Sequence, residues 1–333
     1  MIKILVISNP QSPATDYYRT IGGFTRLRDD YPGEIELTVK SPEQLLWFDL
    51  YTVDIIVAQR PNGGQLLGYL QEAKAMGKRL IIDIDDLLHD IPTSNPAAKH
   101  FNQPDIKASI DKAISIADHV IVSTNTLKDY YQKQAQGKIT VIQNGYDPKH
   151  TPLQPITQQS TPVRMIWRGS LTHLSDLHTL KPQINNLIKN KAFETVFVGI
   201  PAWAAYDFNE RARFIEWQTF FSYFRLLKES RPDYGFFPLE NTHFNLAKSN
   251  IFALEMLWAG ALPIVPAGFP EFDIPGVLQY EDDRKFERII DRIASGKVNK
   301  AAAISEARGH MLEHFNLSRL NEKRLQIVKS LKP

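Results

Sequence analysis

The sequence contains no cysteine, and its 39 Lys and Arg residues nearly balance 37 Asp and Glu residues. Without cysteine, thiol catalysis, disulfide bonds and thiolate metal sites are excluded. A formal charge of +2 gives no support by itself to a polyanionic partner. No apolar run approaches membrane-spanning length, and the short apolar start before polar residues is not typical of a signal peptide. We therefore expect a soluble, cytoplasmic protein with no membrane span.

The first half of the chain alternates short β-branched runs with segments of helical periodicity. At 333 residues, two domains of ordinary size are expected. Helical spacing is clear over 65–76 and 106–117, and the alternation predicts a parallel sheet with helices on both faces. The predicted strands are 3–8, 34–39, 54–59, 79–83, 119–124 and 139–144.

A Pro-, Gln- and Thr-rich stretch then separates two similar halves. Residues 148–162 carry almost no periodic apolar residues and predict a linker between an N-terminal domain over 1–147 and a C-terminal domain over 163–310. Residues 311–333 predict a helical tail, in a region without strand signals. The second set of predicted strands is 163–169, 195–199, 234–238, 262–267 and 277–280. The fold class is therefore α/β, with two doubly wound, Rossmann-like domains.

The most informative segment is NTHFNLAKSNIFALEMLWAGALPIVP, residues 241–266. Lys248, Ser249 and Asn250 fall at a predicted helix start, where free N–H groups and the helix dipole favour an anion such as a diphosphate. Glu255 lies seven residues after Lys248, so both are expected on one helix face, where the carboxylate could accept ribose hydroxyls. A capped amphipathic helix with a solvated Glu255 explains the same pattern.

A second polar segment follows the first predicted strand of the C-terminal half. Gly169 would let a ligand approach the backbone, and the Arg168 guanidinium can grip two phosphate oxygens. Ser170 belongs to the same loop. His173 and Asp176 either position this loop or cap the next helix. An ordinary strand-to-helix turn with a solvated Arg168 is the alternative.

Polar residues also follow two predicted strands of the N-terminal half. Asp83, Asp85 and Asp86 end one strand and could orient an acceptor hydroxyl, with Asp85 able to carry part of a base role. A helix cap with solvated acids explains the cluster equally well.

Near the N-terminus, a polar loop over 9–12 leads to Tyr17, Tyr18 and Arg19, which suit contact with an acceptor. An aromatic helix start packed on the sheet is the alternative. A further aromatic cluster is interpreted as core, and it comprises Trp203, Trp217, Phe220, Phe221, Tyr223 and Phe224.

Taken with the two-domain pattern, three motifs resemble the GT-B glycosyltransferases, specifically the retaining family-4-like group. They are Asn245-x-x-Lys248-Ser249-Asn250 followed by Glu255, the 166–177 segment around Arg168, and Asn144-Gly145-Tyr146-Asp147. The resemblance covers most of the chain and implies two Rossmann-like domains facing a central cleft. It also extends to the phage enzymes that glycosylate hydroxymethylated DNA bases.

The resemblance implies a role for each matching residue. Lys248 and Arg168 would hold the donor diphosphate and assist its departure, and Glu255 would bind the donor ribose. The other implied donor contacts are Gly169, Ser170, His173, Asn245, Ser249 and Asn250.

The sequence also departs from the family pattern. Ala247 stands where the family commonly has another glutamate, so Asn241, His243 or Asn245 would have to supply those contacts to the donor sugar. Arg168 precedes Gly169 instead of following it, so its match rests on its position in the loop.

The implied activity moves a sugar from a nucleoside-diphosphate sugar, expected to be a UDP-sugar, to a hydroxyl acceptor with retention. No cofactor and no metal are expected, because metal-binding acids belong to the single-domain GT-A architecture. The acceptor is either a glycan or a hydroxymethylated base in DNA. A sugar-nucleotide epimerase or hydrolase, or a non-catalytic nucleotide-sugar or carbohydrate-binding protein, remains a rival function.

Overall fold

A computed structural model describes residues 1–8, 13–201 and 206–332. Each half of the chain forms one parallel six-stranded sheet, as the alternation of strands and helices predicts. The first half contains β1 Ile2–Ile7, α1 Pro13–Arg19, α2 Ile21–Asp30, β2 Ile35–Lys40, α3 Asp49–Thr52, β3 Ile55–Gln59, α4 Gly64–Ala75, β4 Arg79–Ile84, α5 Ala98–Phe101, α6 Pro104–Ile116, β5 His119–Val122, α7 Asn125–Tyr131 and β6 Lys138–Val141.

The second half repeats the architecture and adds three C-terminal helices. Its elements are β7 Val163–Arg168, α8 Leu174–His178, α9 Lys181–Lys189, β8 Phe193–Gly199, β9 Ala212–Glu216, α10 Phe220–Ser230, β10 Tyr234–Phe236, α11 His243–Leu246, α12 Ile251–Ala259, β11 Leu262–Pro266, β12 Leu278–Tyr280, α13 Asp283–Ala294, α14 Lys300–His314 and α15 Leu317–Ser330.

The strand orders are β2-β1-β3-β4-β5-β6 and β12-β11-β10-β7-β8-β9. In register, Ile4 pairs with Ile55 in the first sheet and Met165 with Tyr234 in the second. Because all these pairs are parallel, the carboxyl ends of the strands lie along one edge of each sheet, where ligands bind in such folds. The α/β prediction is confirmed. Strand β9 was missed, since ARFIE is short and carries charges at both ends.

Two segments connect the halves. Residues 148–162 contain no helix or strand, but they pack along the second core through Leu153 and Ile156. The C-terminal helix α15 returns to the first half, where Leu320 and Val328 join the core beneath β1. The predicted tail is therefore helical and adds apolar surface to the N-terminal core. The domain boundaries themselves stay a prediction.

Apart from Glu255, helix α12 is apolar on every side, and all its residues from Phe252 to Ala259 are buried. Gly260 ends it in the left-handed region at φ 80°, and its N–H bonds back to the last turn. A Cβ at Gly260 would lie 2.7 Å from the carbonyl oxygen of Pro155. The predicted helix end at Gly260 therefore has a physical basis in both backbone conformation and packing.

Candidate functional site

A cavity of about 540 Å³ lies between the two halves, within the size range of small-molecule sites. Residues from the carboxyl-end loops of both sheets form its wall. Arg60 and Asp86 come from the first half, whereas Arg168, Lys248 and Glu255 come from the second. Gly169, Ser170 and His173 also line it, so six of the residues predicted from the C-terminal half meet at one cavity.

Arg168 and Glu255 form an ion pair in the cavity wall. Arg168 ends β7, and both Nε and Nη2 donate to one carboxylate oxygen of Glu255 on α12, at 2.9 and 2.6 Å. Tyr18 of the first half donates its hydroxyl to the other oxygen at 3.2 Å. Burial raises the pKa of Glu255, although Arg168 and the hydrogen bonds oppose that rise. The two residues expected to hold phosphate and ribose are thus bound to each other.

Lys248 is the cation of this wall that has no carboxylate partner among the residues described by the structure. Its Nζ lies 4.5 Å from the centre of the Phe244 ring, which positions the charge without neutralising it. The expectation that Lys248 and Glu255 share one helix face is wrong, because α12 starts at Ile251 and Lys248 precedes it. The loop nevertheless brings both side chains to the cavity.

A buried carboxylate organises the residues beside Lys248. Asp176 accepts hydrogen bonds from His173 Nδ1 at 2.8 Å, Asn245 Nδ2 at 2.6 Å and the Glu240 N–H at 3.0 Å. Burial lowers the pKa of His173, and the nearby Lys248 charge lowers it further, while Asp176 opposes both. A neutral His173 that donates from Nδ1 keeps Nε2 as a hydrogen-bond acceptor. Asp176 therefore links the His173 loop to the segment that carries Lys248.

Gly169 is constrained by packing. A Cβ there would lie 2.6 Å from the Trp167 ring and 3.1 Å from the Cβ of His173. Contact with its own neighbours is thus a second reason for a glycine here, and the expected approach of a ligand to its backbone stays a prediction. Ser170 accepts a hydrogen bond from the Thr172 N–H at 3.3 Å and so caps the turn after β7.

The remaining residues predicted to contact the donor do not line the cavity. Asn245 is buried and bonded to Asp176, and the Ser249 hydroxyl accepts from Asn144 Nδ2 at 2.7 Å. Asn250 is fully buried at the start of α12, and its side-chain atoms have no hydrogen-bond partner among the described residues. These three side chains are outside the set that lines the cavity. Direct contact with the donor therefore does not fit their positions.

Arg19 and Asp83 form a buried network in place of the expected acceptor site. Arg19 is 0% and Asp83 is 1% exposed, and two guanidinium nitrogens of Arg19 donate to the carboxylate at 2.9 and 3.0 Å. Arg19 also donates to the Ile142 carbonyl at 2.7 Å and to Asn144 Oδ1 at 3.1 Å. Acceptor contact does not fit this burial, and a structural role follows for both residues.

The two tyrosines before Arg19 lie at the junction of the halves. Tyr17 packs on Phe220 with ring centres 4.5 Å apart, and Tyr18 is buried against Glu255. Both contact the second half, so they fit the alternative of packed aromatic side chains better than an open acceptor surface. Residues 9–12, also assigned to the acceptor loop, lie outside the described residues.

Arg60 holds the acidic cluster and was missed from the sequence. It forms a short hydrogen bond with Asp85 and a 3.5 Å ion pair with Asp86. Its φ of 43° is in the left-handed region, which is uncommon for a non-glycine residue and is often found at functional sites. Burial alone would raise the pKa of Asp85, but Arg60 outweighs it and holds that pKa below its usual value. Asp85 is consequently an ionised, paired carboxylate and a poor base.

The aromatic cluster of the second half divides into core and cavity wall. Tyr223 is buried, whereas Trp217 is 66% and Phe221 78% exposed. Trp217, Phe220 and Tyr223 line the cavity, which contradicts the assignment of the whole cluster to the core. Trp217 follows β9, so recognising that strand would have placed it at the carboxyl edge. Trp203 lies outside the described residues.

The described part of the chain contains no group of three or more His, Asp or Glu side chains arranged to hold a metal ion. Its helices are all too short or too polar to cross a membrane. Metal independence and the cytoplasmic location both stay predictions.

Solved structures with the same architecture span almost the whole chain. HepE from Anabaena in complex with UDP-glucose has a TM-score of 0.65 at 15% identity and covers 99% of this chain and 100% of its own. Sucrose-phosphate synthase from Thermosynechococcus elongatus has a TM-score of 0.68 at 12% identity and covers 99% of each chain.

An α-glucosyltransferase in complex with UDP and a 13-mer DNA containing an HMU base has a TM-score of 0.65 at 12% identity and covers 99% of each chain. The chain has the GT-B fold. No protein-family model and no curated protein sequence matches it. At these identities the likeness establishes the GT-B architecture, and the activity has to be argued from the site.

Proposed function

We propose that this GT-B protein is a glycosyltransferase that moves a sugar from a nucleoside-diphosphate sugar, expected to be a UDP-sugar, to a hydroxyl acceptor. The observation that carries the proposal is the cation Lys248 in the wall of the cavity between the sheets, which has no carboxylate partner within residues 1–8, 13–201 and 206–332. A departing diphosphate develops negative charge, which a fixed cation in a partly enclosed site stabilises. The bound nucleotides of the structural neighbours support the same donor class.

In the proposed site, cationic residues bind the donor diphosphate and a carboxylate binds the donor ribose. Lys248 faces the diphosphate, and Arg168, which also lines the cavity, contributes a second positive charge. Glu255 accepts ribose hydroxyls after its contacts to Arg168 and Tyr18 rearrange. His173 Nε2 accepts a hydrogen bond from a hydroxyl group of the sugar or the ribose. Trp217 and Phe220 supply aromatic faces at the same cavity, suited to packing against a flat base.

The proposed reaction needs no protein carboxylate as base. The donor carbon–oxygen bond breaks to leave the nucleoside diphosphate, and the acceptor oxygen forms the new glycosidic bond. In a retaining reaction the acceptor proton can pass to the leaving phosphate. Asp85 then serves to hold Arg60, and Asp86 is the acid of this cluster that lines the cavity.

Two acceptor classes remain in view, a saccharide and a hydroxymethylated DNA base. DNA binding must neutralise phosphates, so the logarithm of affinity would fall with the logarithm of salt by about 0.9 per phosphate. The formal charge of +2 favours the saccharide as the principal acceptor. A duplex titration at low and physiological salt tests this, and tight, steeply salt-dependent binding would reverse the order.

Nucleotide release from a panel of nucleotide sugars, measured with and without glycan and modified-DNA acceptors, tests the proposed activity. Acceptor-dependent release with transfer of the sugar is expected. Release with no acceptor would indicate a hydrolase, and conversion of the sugar without release an epimerase. Binding without any turnover would indicate a non-catalytic protein.

Chelation tests the expected metal independence. Activity in excess EDTA should equal that in untreated protein, because cationic side chains are proposed to neutralise the diphosphate. The control adds magnesium or manganese after chelation. Activity lost with EDTA and restored by either ion would assign a metal to the reaction.

A further inference from the structure

A group of aromatic side chains is exposed on the first half, away from the residues that line the central cavity. Trp47 is 60%, Phe48 69% and Tyr51 71% exposed, in the connection between β2 and β3. Exposed apolar patches of this kind mark ligand or partner sites more often than chance exposure does. The patch needs an explanation that the donor cavity does not provide.

The loop that carries these side chains is held in one conformation. Asp49 accepts hydrogen bonds from the Leu46 N–H at 2.8 Å and from Lys40 Nζ at 2.6 Å. The buried Tyr69 donates its hydroxyl to the Leu46 carbonyl at 3.3 Å. A backbone restrained by such bonds on either side of Trp47 loses little conformational freedom when a ligand binds.

Trp47 lines two surface grooves. One of about 280 Å³, here called the Trp47 groove, has walls that include Pro42, Leu45, Trp47, Asn62, Gln65 and Tyr69. The other, of about 240 Å³, is lined by Trp47 together with Tyr51 and Glu72. The Trp47 ring stacks on Tyr69 with centres 5.4 Å apart and planes 30° apart. A ligand in either groove would meet the Trp47 ring.

The chemistry of the Trp47 groove selects against charged ligands. All the side chains that line it are uncharged, and Asn62 and Gln65 each offer an amide donor and acceptor. A nucleic-acid strand would need cations for its phosphates, which this groove does not supply. A saccharide presents hydroxyl groups at its edge and a face of C–H bonds that packs on an aromatic ring.

The Trp47 groove and the central cavity share no lining residue among those described, but residues close together in the chain line the two. Arg60 lines the central cavity, and Asn62, two residues later in the loop after β3, lines the Trp47 groove. Both positions follow β3 at the carboxyl edge of the first sheet. The neighbouring strand β4 is followed by Asp86, which also lines the central cavity. A chain of several sugar units that reached the cavity from this side would pass over Trp47.

We propose that the Trp47 groove is a binding site for a neutral oligosaccharide, several units from the sugar that receives the transferred residue. Trp47 packs on a pyranose face, and Asn62 and Gln65 bond its hydroxyls. As an acceptor subsite this inference rests on the proposed glycosyltransferase function, and as a carbohydrate site it can be tested without any donor.

The test is an array of neutral oligosaccharides probed with the full chain, followed by calorimetry on those retained. Wild-type protein should bind at least one neutral glycan, and Trp47→Ala should weaken it about tenfold or more, the loss expected for a central aromatic anchor. Trp47→Phe should recover part of the affinity, and Gln65→Ala should weaken it less. Phe48→Ala is the matched control, since Phe48 is equally exposed but lines neither groove.

Three outcomes would overturn the site. They are binding of no neutral glycan, equal losses in Trp47→Ala and Phe48→Ala, and sedimentation of wild-type protein with phosphatidylglycerol vesicles that both variants abolish. The last would identify a membrane-contacting patch. UDP affinity is measured on wild-type protein in parallel. Glycan binding through Trp47 with no UDP binding, and no nucleotide release from any member of the nucleotide-sugar panel, would keep the carbohydrate site and reject the transferase proposal.

Discussion

The two sheets carry similar charged residues at their carboxyl edges, yet they use them differently. In the first half, Arg19 pairs with Asp83 and Arg60 with Asp85, and all four side chains are largely removed from solvent. In the second half, Arg168 pairs with Glu255 in the cavity wall, while Lys248 has no carboxylate partner among the described residues. The charged residues at the first edge therefore neutralise one another, whereas the second edge leaves the charge of Lys248 in the cavity wall.

Loss of Asp83 should have the largest effect on stability. In Asp83→Ala, the buried Arg19 and the fully buried Arg324 nearby lose their carboxylate, so unfolding should become easier by about 3–5 kcal/mol. Urea unfolding midpoints measure the effect. Asp29→Ala removes the carboxylate of an exposed pair and is the control, with little change expected. An unshifted midpoint for Asp83→Ala would contradict the structural role.

Loss of Lys248 should affect catalysis and leave stability unchanged. Turnover of Lys248→Ala should fall by about ten- to a thousandfold, because one fixed cation is removed from the developing diphosphate charge. The control is Lys191→Ala, at an exposed position. Full activity in folded Lys248→Ala would remove this residue from the leaving-group role.

Arg168→Lys should also lower turnover and is preferable to Arg168→Ala, which would leave Glu255 buried without its cation.

Glu255→Gln should weaken binding of the nucleoside diphosphate by about 1–3 kcal/mol, since an amide accepts ribose hydroxyls less well than a carboxylate. Turnover at saturating donor should change less. Calorimetry measures the affinity, and Tyr18→Phe separates loss of the carboxylate from loss of its tyrosine hydrogen bond. Equal affinities in wild type and Glu255→Gln would reject the ribose contact.

The smallest expected effect is on the titration of His173. Because Lys248 lowers the pKa of His173, Lys248→Ala should raise that pKa toward the ordinary value, with Lys191→Ala as the control. NMR titration of the imidazole measures it. With a folded pKa below the unfolded one, neutral His173 stabilises the fold above the unfolded pKa, and this stabilisation is lost as pH falls through the folded pKa. If Lys248→Ala left the His173 pKa unchanged, the charge of Lys248 would have no effect on the imidazole.

Local sequence patterns predicted some features of the fold and of the site and missed others. Runs such as 79–83 and 119–124 predicted strands because burial on both faces requires continuous apolar residues. The 241–266 segment predicted the helix, its end at Gly260 and a cation beside the cavity. Arg60 escaped notice because its role depends on a left-handed backbone and on acids at the end of the neighbouring strand β4, 25 residues later in the chain.

Local periodicity and the polarity of parallel strands were sufficient to predict two parallel α/β halves. That Arg168, Gly169, Lys248 and Glu255 belong to one site was implied by the family resemblance, and the helix face expected to join Lys248 and Glu255 was wrong. Which ionisable side chains are paired with one another depends on the tertiary structure. Arg19 and Asp83 are separated by 64 residues, and Tyr18 and Glu255 by 237. Whether an ionisable side chain binds a ligand or neutralises a neighbour depends on burial and on partners distant in the chain, and local patterns carry neither.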